Sequence, residues 1–337
     1  MKRDSTIDIA KGVAICLMVI GHCYSSENPV LRSIYAFHMP FFFIVSGMLY
    51  ADKWKKNVSI KVLNLLWKLI VPYFFFETLF TVFLLILQRS PNILGDLWNT
   101  FSRTILPMVG LTVTWFLPCQ LLVVLGAGLL RKIASKHKRV SEITAFSVLF
   151  LVALIVSPAN RYVVVLWRTF IGMGFFAVGY YGKKVITQQC KLCILCACVL
   201  AYLMSSAING QVSMVSLDFS NPILYVVNGV LGTYILYQVC LKVQNWKIVP
   251  AVVYFGKNTA IVLCTHMFVV EVIRLLDYKL FNNVLYRLGI FEGFVFGAMV
   301  LAVMGIVIYV VNRYAWYLFG NKRRTHEVQR SEASCQS

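Results

Sequence analysis

The segment DIAKGVAICLMVIGHCYSS, residues 8–26, is apolar enough to sit in a lipid bilayer, yet it carries a lysine and a histidine. Lys11 and His22 are separated by about three helical turns plus 20°, at about 100° per residue. The two side chains therefore share one stripe of a helix and lie about 16 Å apart along its axis. Asp8 precedes Lys11 by three residues, on the neighbouring part of that face, where its carboxylate can pair with the ammonium group.

The whole chain has the composition of a membrane protein with many spans. Of its 337 residues, 59% are hydrophobic and 13% are charged, and its mean hydropathy is +0.75. A soluble domain of this length would carry far more charge. We therefore expect an all-α, polytopic transmembrane bundle of about ten helices, with residues 1–320 as one membrane domain. The predicted spans are 6–26, 33–51, 62–87, 107–130, 141–157, 161–182, 190–208, 222–241, 256–276 and 291–316.

The distribution of lysine and arginine predicts that both termini are cytoplasmic. Dense basic clusters follow every second span, as in DKWKKNVSIK (residues 52–61) and RKIASKHKR (residues 131–139). Such clusters favour the cytoplasmic side of a membrane. Residues 321–337 are expected to form a basic, disordered cytoplasmic tail. The net charge of +19 is attributed to these loops and to anionic lipid, not to nucleic acid.

The polar groups within the first two spans point to a shared cavity. With the N-terminus inside, Lys11 lies near the cytoplasmic surface and His22 lies in the outer half of its span. The second span runs back inward, so His38 also starts in the outer half. Ionisable groups within spans usually face a polar cavity and mark function. The alternatives are that Lys11 snorkels to the interface and that His22 is a structural histidine bonded to a carbonyl.

Six motifs resemble the acyltransferase-3 family of membrane acyltransferases. The family signature in the first helix is arginine or lysine, ten intervening residues and histidine, and Lys11 and His22 fit it. The tryptophan-centred TWFLP, residues 114–118, is similar to the fucose 4-O-acetylase-like branch. The motifs are IDIAKGVAICLMVIGH (7–22), FHMPFFFIVSGMLYADK (37–53), LIVPYFFF (69–76), WFLPCQLL (115–122), FFAVGYYGKK (175–184) and YFGKNTAIVLCTH (254–266).

The resemblance implies transfer of an acyl group, usually acetyl, from cytoplasmic acyl-coenzyme A to a hydroxyl of a cell-surface or lipid-linked glycan. It implies a multi-pass protein of the cell membrane (the plasma or inner membrane), with acetyl-CoA as donor. The basic loops predict membrane lipids as neighbours, and we expect no metal. The first helix would then line a donor channel. Lys11 would meet the anionic cofactor, and His22 would meet the thioester.

His22 is the expected catalytic residue, with Lys11 and Asp8 completing the predicted catalytic set. Histidine suits a general base because its ordinary pKa of about 6.5 lies near neutral pH. An acyl-histidine intermediate remains an alternative. Ser46 has a second interpretation, which is close helix packing beside Gly47. The resemblance implies further groups near the thioester oxygen, where charge develops: His38, Ser46, Trp115 and Asn258.

Several ionisable residues within predicted spans have more than one interpretation. Glu77 could orient a histidine, bind the acceptor or pair with an arginine such as Arg168. His266 ends a matched motif, and we expect it near the site, although a satisfied interhelical group is the alternative. Glu271 and Arg274 are three residues apart and are expected to form a local ion pair near the outer interface.

Lys68 marks a departure from the family pattern. The family often carries Arg-x-x-Arg before the Pro-Tyr of the third helix, whereas LNLLWKLIVPY (residues 63–73) contains only Lys68. A full basic clamp on the cofactor phosphates is therefore less strongly indicated. Lysine at position 11 also lacks the bidentate fork of arginine.

Two other classes of function fit a helical bundle with internal polar groups. A transporter or flippase would show corresponding broken helices in two halves, and the sequence shows no convincing internal repeat. A catalytically inactive relative that assists glycan assembly is the other class. Cys190, Cys193 and Cys196 recur at helical spacing, but packing explains them better than a metal site.

Overall fold

The computed structural model describes residues 5–55, 60–110, 112–134 and 139–320, and within them the chain is helical. The one extended pairing in these ranges is an isolated bridge between Ser213 and Asp218. The α-helices are α1 (Ser5–His22), α2 (Pro29–Lys55), α3 (Val62–Leu87), α4 (Ile93–Thr100), α5 (Phe116–Ala134), α6 (Arg139–Ile155), α7 (Val164–Thr187), α8 (Leu192–Asn209), α9 (Pro222–Val243), α10 (Val249–Lys257), α11 (Thr259–Phe281) and α12 (Glu292–Tyr314).

The lengths and compositions of these helices confirm the predicted polytopic bundle. In the described ranges, nine helical segments are long and apolar enough to cross a membrane. The fifth predicted span corresponds to a shorter apolar helix, Ser141–Ile155. The cytoplasmic location of the termini stays a prediction, and the predicted basic tail, 321–337, lies outside the described residues. We use "outer end" for the end of the bundle that contains His22.

The predicted fourth span began too early. Helix α5 begins at Phe116 and not near residue 107. Met108 and Gly110 have positive φ angles of 60° and 75°, which a right-handed helix does not accommodate. A 3₁₀ turn, Val113–Trp115, leads directly into α5. The sequence pattern also did not predict α4, which lies between the third and fourth spans.

Helix α1 lies at the centre of the bundle and contacts α2, α9, α10, α11 and α12. Its closest approach is to α10. A Cβ atom on Gly12 would lie 2.1 Å from the carbonyl oxygen of Val252, and a Cβ atom on Gly256 would lie 1.9 Å from that of Asp8. Only glycine at these two positions lets the helix backbones meet, as in small-residue packing within membranes.

The predicted ninth span is divided at Asn258, where α10 ends and α11 begins. The Asn258 side chain donates to the carbonyl of Tyr254 at 2.7 Å and accepts from the Asn312 amide at 2.9 Å. These bonds tie the division to α10 and to α12. Asn258 therefore stabilises the break between α10 and α11, beside the inner half of α1.

Candidate active site at the outer end of the first helix

Three predicted histidines meet at the outer end of α1. His22 is the last residue of α1, and its ring centre lies 5.4 Å from that of His266 in α11. The ring of Tyr35 lies 6.0 Å from the His22 ring and 5.1 Å from the His38 ring. His38 and His266 are buried, with 6% and 0% of their surfaces exposed, whereas His22 is half-buried. His22 is therefore the histidine of this cluster that a substrate can reach most readily.

Hydrogen bonds define the tautomers of the two buried histidines. The Nδ1 atom of His38 lies 3.0 Å from the Ile34 carbonyl, and that of His266 lies 2.8 Å from the Val262 carbonyl. A carbonyl oxygen only accepts, so each Nδ1 carries a hydrogen and each Nε2 of a neutral ring is an acceptor. The Nε2 atom of His266 is buried and has no hydrogen-bond partner among the described residues. A buried polar atom without a hydrogen bond lowers the stability of a protein by about 1–3 kcal/mol. This cost favours a functional reason for the retention of His266.

Tyr35 is a member of this cluster that sequence reasoning missed. Its hydroxyl oxygen lies 3.5 Å from Nδ1 of His22, at the outer limit of hydrogen-bond distance. The available signal was its position three residues before His38, because residues at that spacing share a helix face. Tyr35 therefore connects the two histidines that the first two spans contribute.

A small cavity of about 60 Å³ lies against these side chains. About 10–15 Å³ of such space holds one water molecule, so the cavity has room for a few of them. The hairpin-like loop closed by the Ser213–Asp218 bridge covers one side of it, and sequence reasoning did not identify this loop. The lining residues are Met18, His22, Tyr35, His38, Met39, Val113, Trp115, Val212, Ser213, Met214 and Val215.

Trp115 forms part of the wall of this cavity, and Arg168 supports it from behind. The Arg168 guanidinium donates to the carbonyl of Val109 at 2.8 Å and to that of Val215 at 3.1 Å. Its central carbon lies 4.9 Å from the centre of the Trp115 ring, a cation–π contact. Arg168 thus holds two separate loops together, with Trp115 between them and the histidines. Arg168 itself does not line the cavity.

Glu77 fixes the turn that carries Trp115. It is fully buried, with 0% of its surface exposed. Its carboxylate accepts from the Thr112 amide at 3.2 Å, from the Thr112 hydroxyl at 2.9 Å and from the Thr114 hydroxyl. The contacts place Glu77 behind the cavity wall. Of the three interpretations of Glu77, these contacts support an orienting role, although the group oriented is the Trp115 turn and not a histidine.

Lys11 and Asp8 lie at the opposite end of α1 from His22. Their charged groups are 3.8 Å apart, which confirms the predicted pairing. The side chain of Lys11 is 20% exposed and that of Asp8 is 6% exposed. The pair lies beside the α1–α10 contact at Gly256 and is separated from the histidine cluster by about 16 Å along the helix axis.

The remaining predicted site residues lie outside the small cavity. Ser46 accepts a hydrogen bond from the Gln120 amide at 2.6 Å, and a Cβ atom on the adjacent Gly47 would lie 2.0 Å from the Phe176 carbonyl oxygen. These contacts support the packing interpretation of Ser46. Lys68 lies beside Gly320, where a Cβ atom would approach the Lys68 side chain to 2.9 Å. Asn258 lies at the α10–α11 junction described above.

No group of three or more histidine, cysteine, aspartate or glutamate side chains that could hold a metal ion occurs among the described residues. The three clustered histidines therefore do not form a set of metal ligands in this arrangement. Their geometry provides two nitrogen acceptors and a tyrosine hydroxyl around one accessible imidazole. This combination can accept a proton from a bound hydroxyl group and hold the resulting imidazolium.

Comparison with curated proteins finds two nodulation proteins. Nodulation protein NolL of Mesorhizobium japonicum is 32% identical over 123 residues, which cover 33% of this chain and 28% of that protein. Nodulation protein NolL of Sinorhizobium fredii is 40% identical over 57 residues, which cover 14% of this chain and 16% of that protein. The matched stretches thus cover less than a third of either relative. No solved structure matches the chain significantly.

The acyltransferase-3 family model, described as an acyltransferase domain, extends over nearly the whole described chain. It matches residues 4–311, from the start of α1 into the last turn of α12. It therefore includes the helices that carry His22, His38 and His266. The chain belongs to the acyltransferase-3 family.

Proposed function

We propose that this protein is a membrane O-acetyltransferase, which moves an acetyl group from cytoplasmic acetyl-CoA to a hydroxyl of a cell-surface or lipid-linked glycan. The observation that carries the proposal is the accessible His22, held among His38, His266 and Tyr35 beside a cavity in a member of this family. By helical periodicity, Lys11 lies on the same face of α1 as His22, toward the predicted cytoplasmic side.

The proposed reaction is direct transfer with His22 as general base. The acceptor oxygen attacks the carbonyl carbon of the thioester, while His22 takes the hydroxyl proton. A carbon–oxygen bond forms, the carbon–sulfur bond breaks, and the proton passes from His22 to the leaving thiolate of coenzyme A. Atoms and charge balance without a further reactant.

The neighbours of His22 have distinct roles in this proposal. The Tyr35 hydroxyl orients the imidazole through Nδ1, at 3.5 Å. The His266 ring lies 5.4 Å from the His22 ring between ring centres, and its unpartnered Nε2 lone pair stabilises the positive charge of the His22 imidazolium. Trp115, Met18 and Met39 form apolar walls that exclude water, which protects the thioester from hydrolysis.

Lys11 is proposed to attract the phosphates of coenzyme A at the inner end of α1. Its ammonium group is close enough to Asp8 for an ion pair and still 20% exposed, so it remains available to an anionic ligand. The pantetheine arm would then extend along α1 toward His22. Lys68, also at the inner end of its helix, is a candidate for a second phosphate contact.

The test is acetyl transfer in membranes that contain equal amounts of folded protein. Labelled acetyl-CoA is supplied to the wild type, His22→Ala and Lys11→Ala, and label is followed into glycan material. Loss of a general base is expected to reduce transfer by about 100-fold or more in His22→Ala. Lys191→Ala, which removes an exposed lysine outside both clusters, is the matched control for Lys11→Ala.

Equal labelling in the wild type and His22→Ala would contradict the role of His22. Absence of label from every surface glycan with the wild-type protein would contradict acetyl transfer itself. That second result would favour a transporter or a partner in glycan assembly.

A further inference from the structure

A second and larger cavity opens at the outer end of the bundle, next to the histidine cluster. Its volume is about 560 Å³, within the range of about 300–1,000 Å³ typical of small-molecule sites. It lies between the loop after α1, the end of α3, the outer half of α11 and the start of α12. The lining residues are Ser25, Leu87, Glu271, Arg274, Leu275, Asp277, Tyr278, Asn283, Leu285, Tyr286, Glu292 and Phe296.

Arg274 connects this outer cavity to the proposed catalytic histidine. Its guanidinium lines the cavity and donates to the backbone carbonyl of His22 at 3.0 Å. The same group lies 3.6 Å from the carboxylate of Glu271 and 5.8 Å from the centre of the Phe296 ring. The first of these contacts confirms the predicted Glu271–Arg274 pair. A molecule bound in the outer cavity would therefore touch a side chain that contacts His22.

Carboxylates outnumber cations in the lining of the outer cavity. Glu271, Asp277 and Glu292 contribute three carboxylates, against the one guanidinium of Arg274. Glu292 accepts from the Ser25 amide at 3.0 Å and from its hydroxyl, and Asp277 accepts from the Leu285 amide at 3.2 Å. These bonds hold the carboxylates in place but occupy only part of their capacity, which is about four acceptor sites each.

The chemistry of this lining suits a ligand rich in hydroxyl groups and without negative charge. Fixed carboxylates accept hydrogen bonds from hydroxyl groups, whereas they repel a ligand carboxylate or phosphate. Tyr278 and Tyr286 are 65% and 60% exposed and offer aromatic faces to the apolar side of a sugar ring. Neutral saccharides combine these two properties.

We propose that the outer cavity binds the acceptor, and that the acceptor unit is a neutral saccharide rather than an acidic one. This inference rests on the proposed function, because it assigns a substrate class to the same reaction. Arg274 is a positioning residue in this arrangement, since it acts on His22 through the backbone carbonyl at the end of α1. The outer cavity then receives the acceptor from the outer side, while the donor arrives along α1.

The test measures binding separately from transfer, with the full-length protein in lipid nanodiscs. Saturation-transfer NMR is recorded with millimolar methyl glycosides of neutral hexoses and with the corresponding methyl uronides. We expect saturation transfer to the neutral glycosides to exceed that to the uronides by about threefold or more, because the carboxylates repel the uronides. Glu271→Gln removes one of these carboxylates, so it is expected to lower the ratio of saturation transfer between neutral glycosides and uronides.

A matched pair of substitutions in α11 locates the binding. Leu275→Trp places a large side chain in the outer cavity, whereas Leu276→Trp adds the same side chain at the next residue, which does not line the cavity and is 47% exposed. Neutral glycosides are expected to lose their saturation transfer with Leu275→Trp and to keep it with Leu276→Trp. Thermal unfolding of both variants verifies that each is folded.

The outcomes separate this inference from the proposed function. His22→Ala should retain glycoside binding while acetyl transfer is lost. Binding that depends on Leu275, without acetyl transfer to any glycan by the wild type, would overturn the proposed function and leave the saccharide site standing. Absence of binding by all neutral glycosides, equal binding of the uronides, or unchanged binding in folded Leu275→Trp would overturn the saccharide site.

Discussion

The guanidinium of Arg274 donates a hydrogen bond at 3.0 Å to the backbone carbonyl of His22, a residue 252 positions away in the chain. Carbonyl groups in the last turn of a helix have no partner within that helix, and a cation there interacts favourably with the helix dipole. The bond therefore anchors the end of α1 to α11. It also fixes the backbone from which the His22 imidazole projects toward the small cavity.

Loss of this anchor should lower acetyl transfer without unfolding the protein. Arg274→Gln is expected to reduce kcat by about tenfold, since a hydrogen bond from a charged group is worth about 1.5–3 kcal/mol. Arg274→Lys retains the cation and should restore part of the activity. Steady-state kinetics with acetyl-CoA measure the effect, and KM for acetyl-CoA should stay unchanged because the donor is bound elsewhere.

Arg287→Gln is the control for the charge change, because Arg287 is exposed and does not line the outer cavity. Equal kcat values for Arg274→Gln and the wild type would contradict the positioning role. A parallel decrease in thermal stability and in activity, with no recovery in Arg274→Lys, would indicate a purely structural role.

His266→Phe should separate activity from stability. The substitution removes an unpartnered buried nitrogen, which costs about 1–3 kcal/mol, and also the Nδ1 hydrogen bond to Val262, which contributes about 0.5–1.5 kcal/mol, so the free energy of unfolding should stay within about 1–2 kcal/mol of the wild type. Acetyl transfer should fall by about tenfold or more, because the lone pair that stabilises protonated His22 is lost. Thermal unfolding and labelled transfer on the same preparation test both expectations. Unchanged transfer would show that His266 is a packing residue.

Tyr35→Phe is expected to have a small effect confined to kcat. The contact between its hydroxyl and His22 Nδ1 is long, at 3.5 Å, so its loss should reduce transfer by only about threefold to tenfold. Tyr225→Phe removes another buried hydroxyl, one that lies outside the small cavity and has no hydrogen-bond partner among the described residues. Equal kcat values for Tyr35→Phe and Tyr225→Phe would show that the Tyr35 hydroxyl does not orient His22.

Glu77→Ala should destabilise the protein, because it leaves the Thr112 amide and two hydroxyl groups without their acceptor. We expect the free energy of unfolding to fall by about 2 kcal/mol. Hydrogen bonds to a charged group contribute about 1.5–3 kcal/mol in soluble proteins, and side-chain hydrogen bonds contribute less within a membrane. Glu77→Gln keeps one acceptor oxygen and should retain most of the stability. Thermal unfolding in one detergent compares the two variants. If Glu77→Ala unfolds at the same midpoint temperature as the wild type, the Trp115 turn is stable without the carboxylate.

Lys11 variants test the donor side of the reaction. Lys11→Ala is expected to raise KM for acetyl-CoA by about tenfold, because an attraction to the phosphates of the donor is lost. Lys11→Arg retains the charge and should keep KM near that of the wild type or lower it, since arginine binds phosphate in a bidentate manner. If KM for acetyl-CoA is the same in Lys11→Ala and Lys191→Ala, Lys11 does not bind the donor.

The sequence predicted the helices well and the loops poorly, for a physical reason. A bilayer selects apolar segments by length, so spans such as 62–87 and 222–241 were predicted to within two residues of α3 and α9. The start of α5 was misplaced because the chain around Met108 and Gly110 is apolar but has positive φ angles. Hydrophobicity alone does not report such backbone conformations.

The sequence by itself determined that α1 is a membrane helix with Lys11 and His22 on one face, because helical periodicity and the length of an apolar segment are local properties. Only the tertiary structure decided that His266 and Arg274 meet His22. It also decided that the Ser213–Asp218 loop covers the small cavity. These contacts join segments distant in the chain, and helix packing through close backbone approaches such as Gly12–Val252 sets which side chains come together.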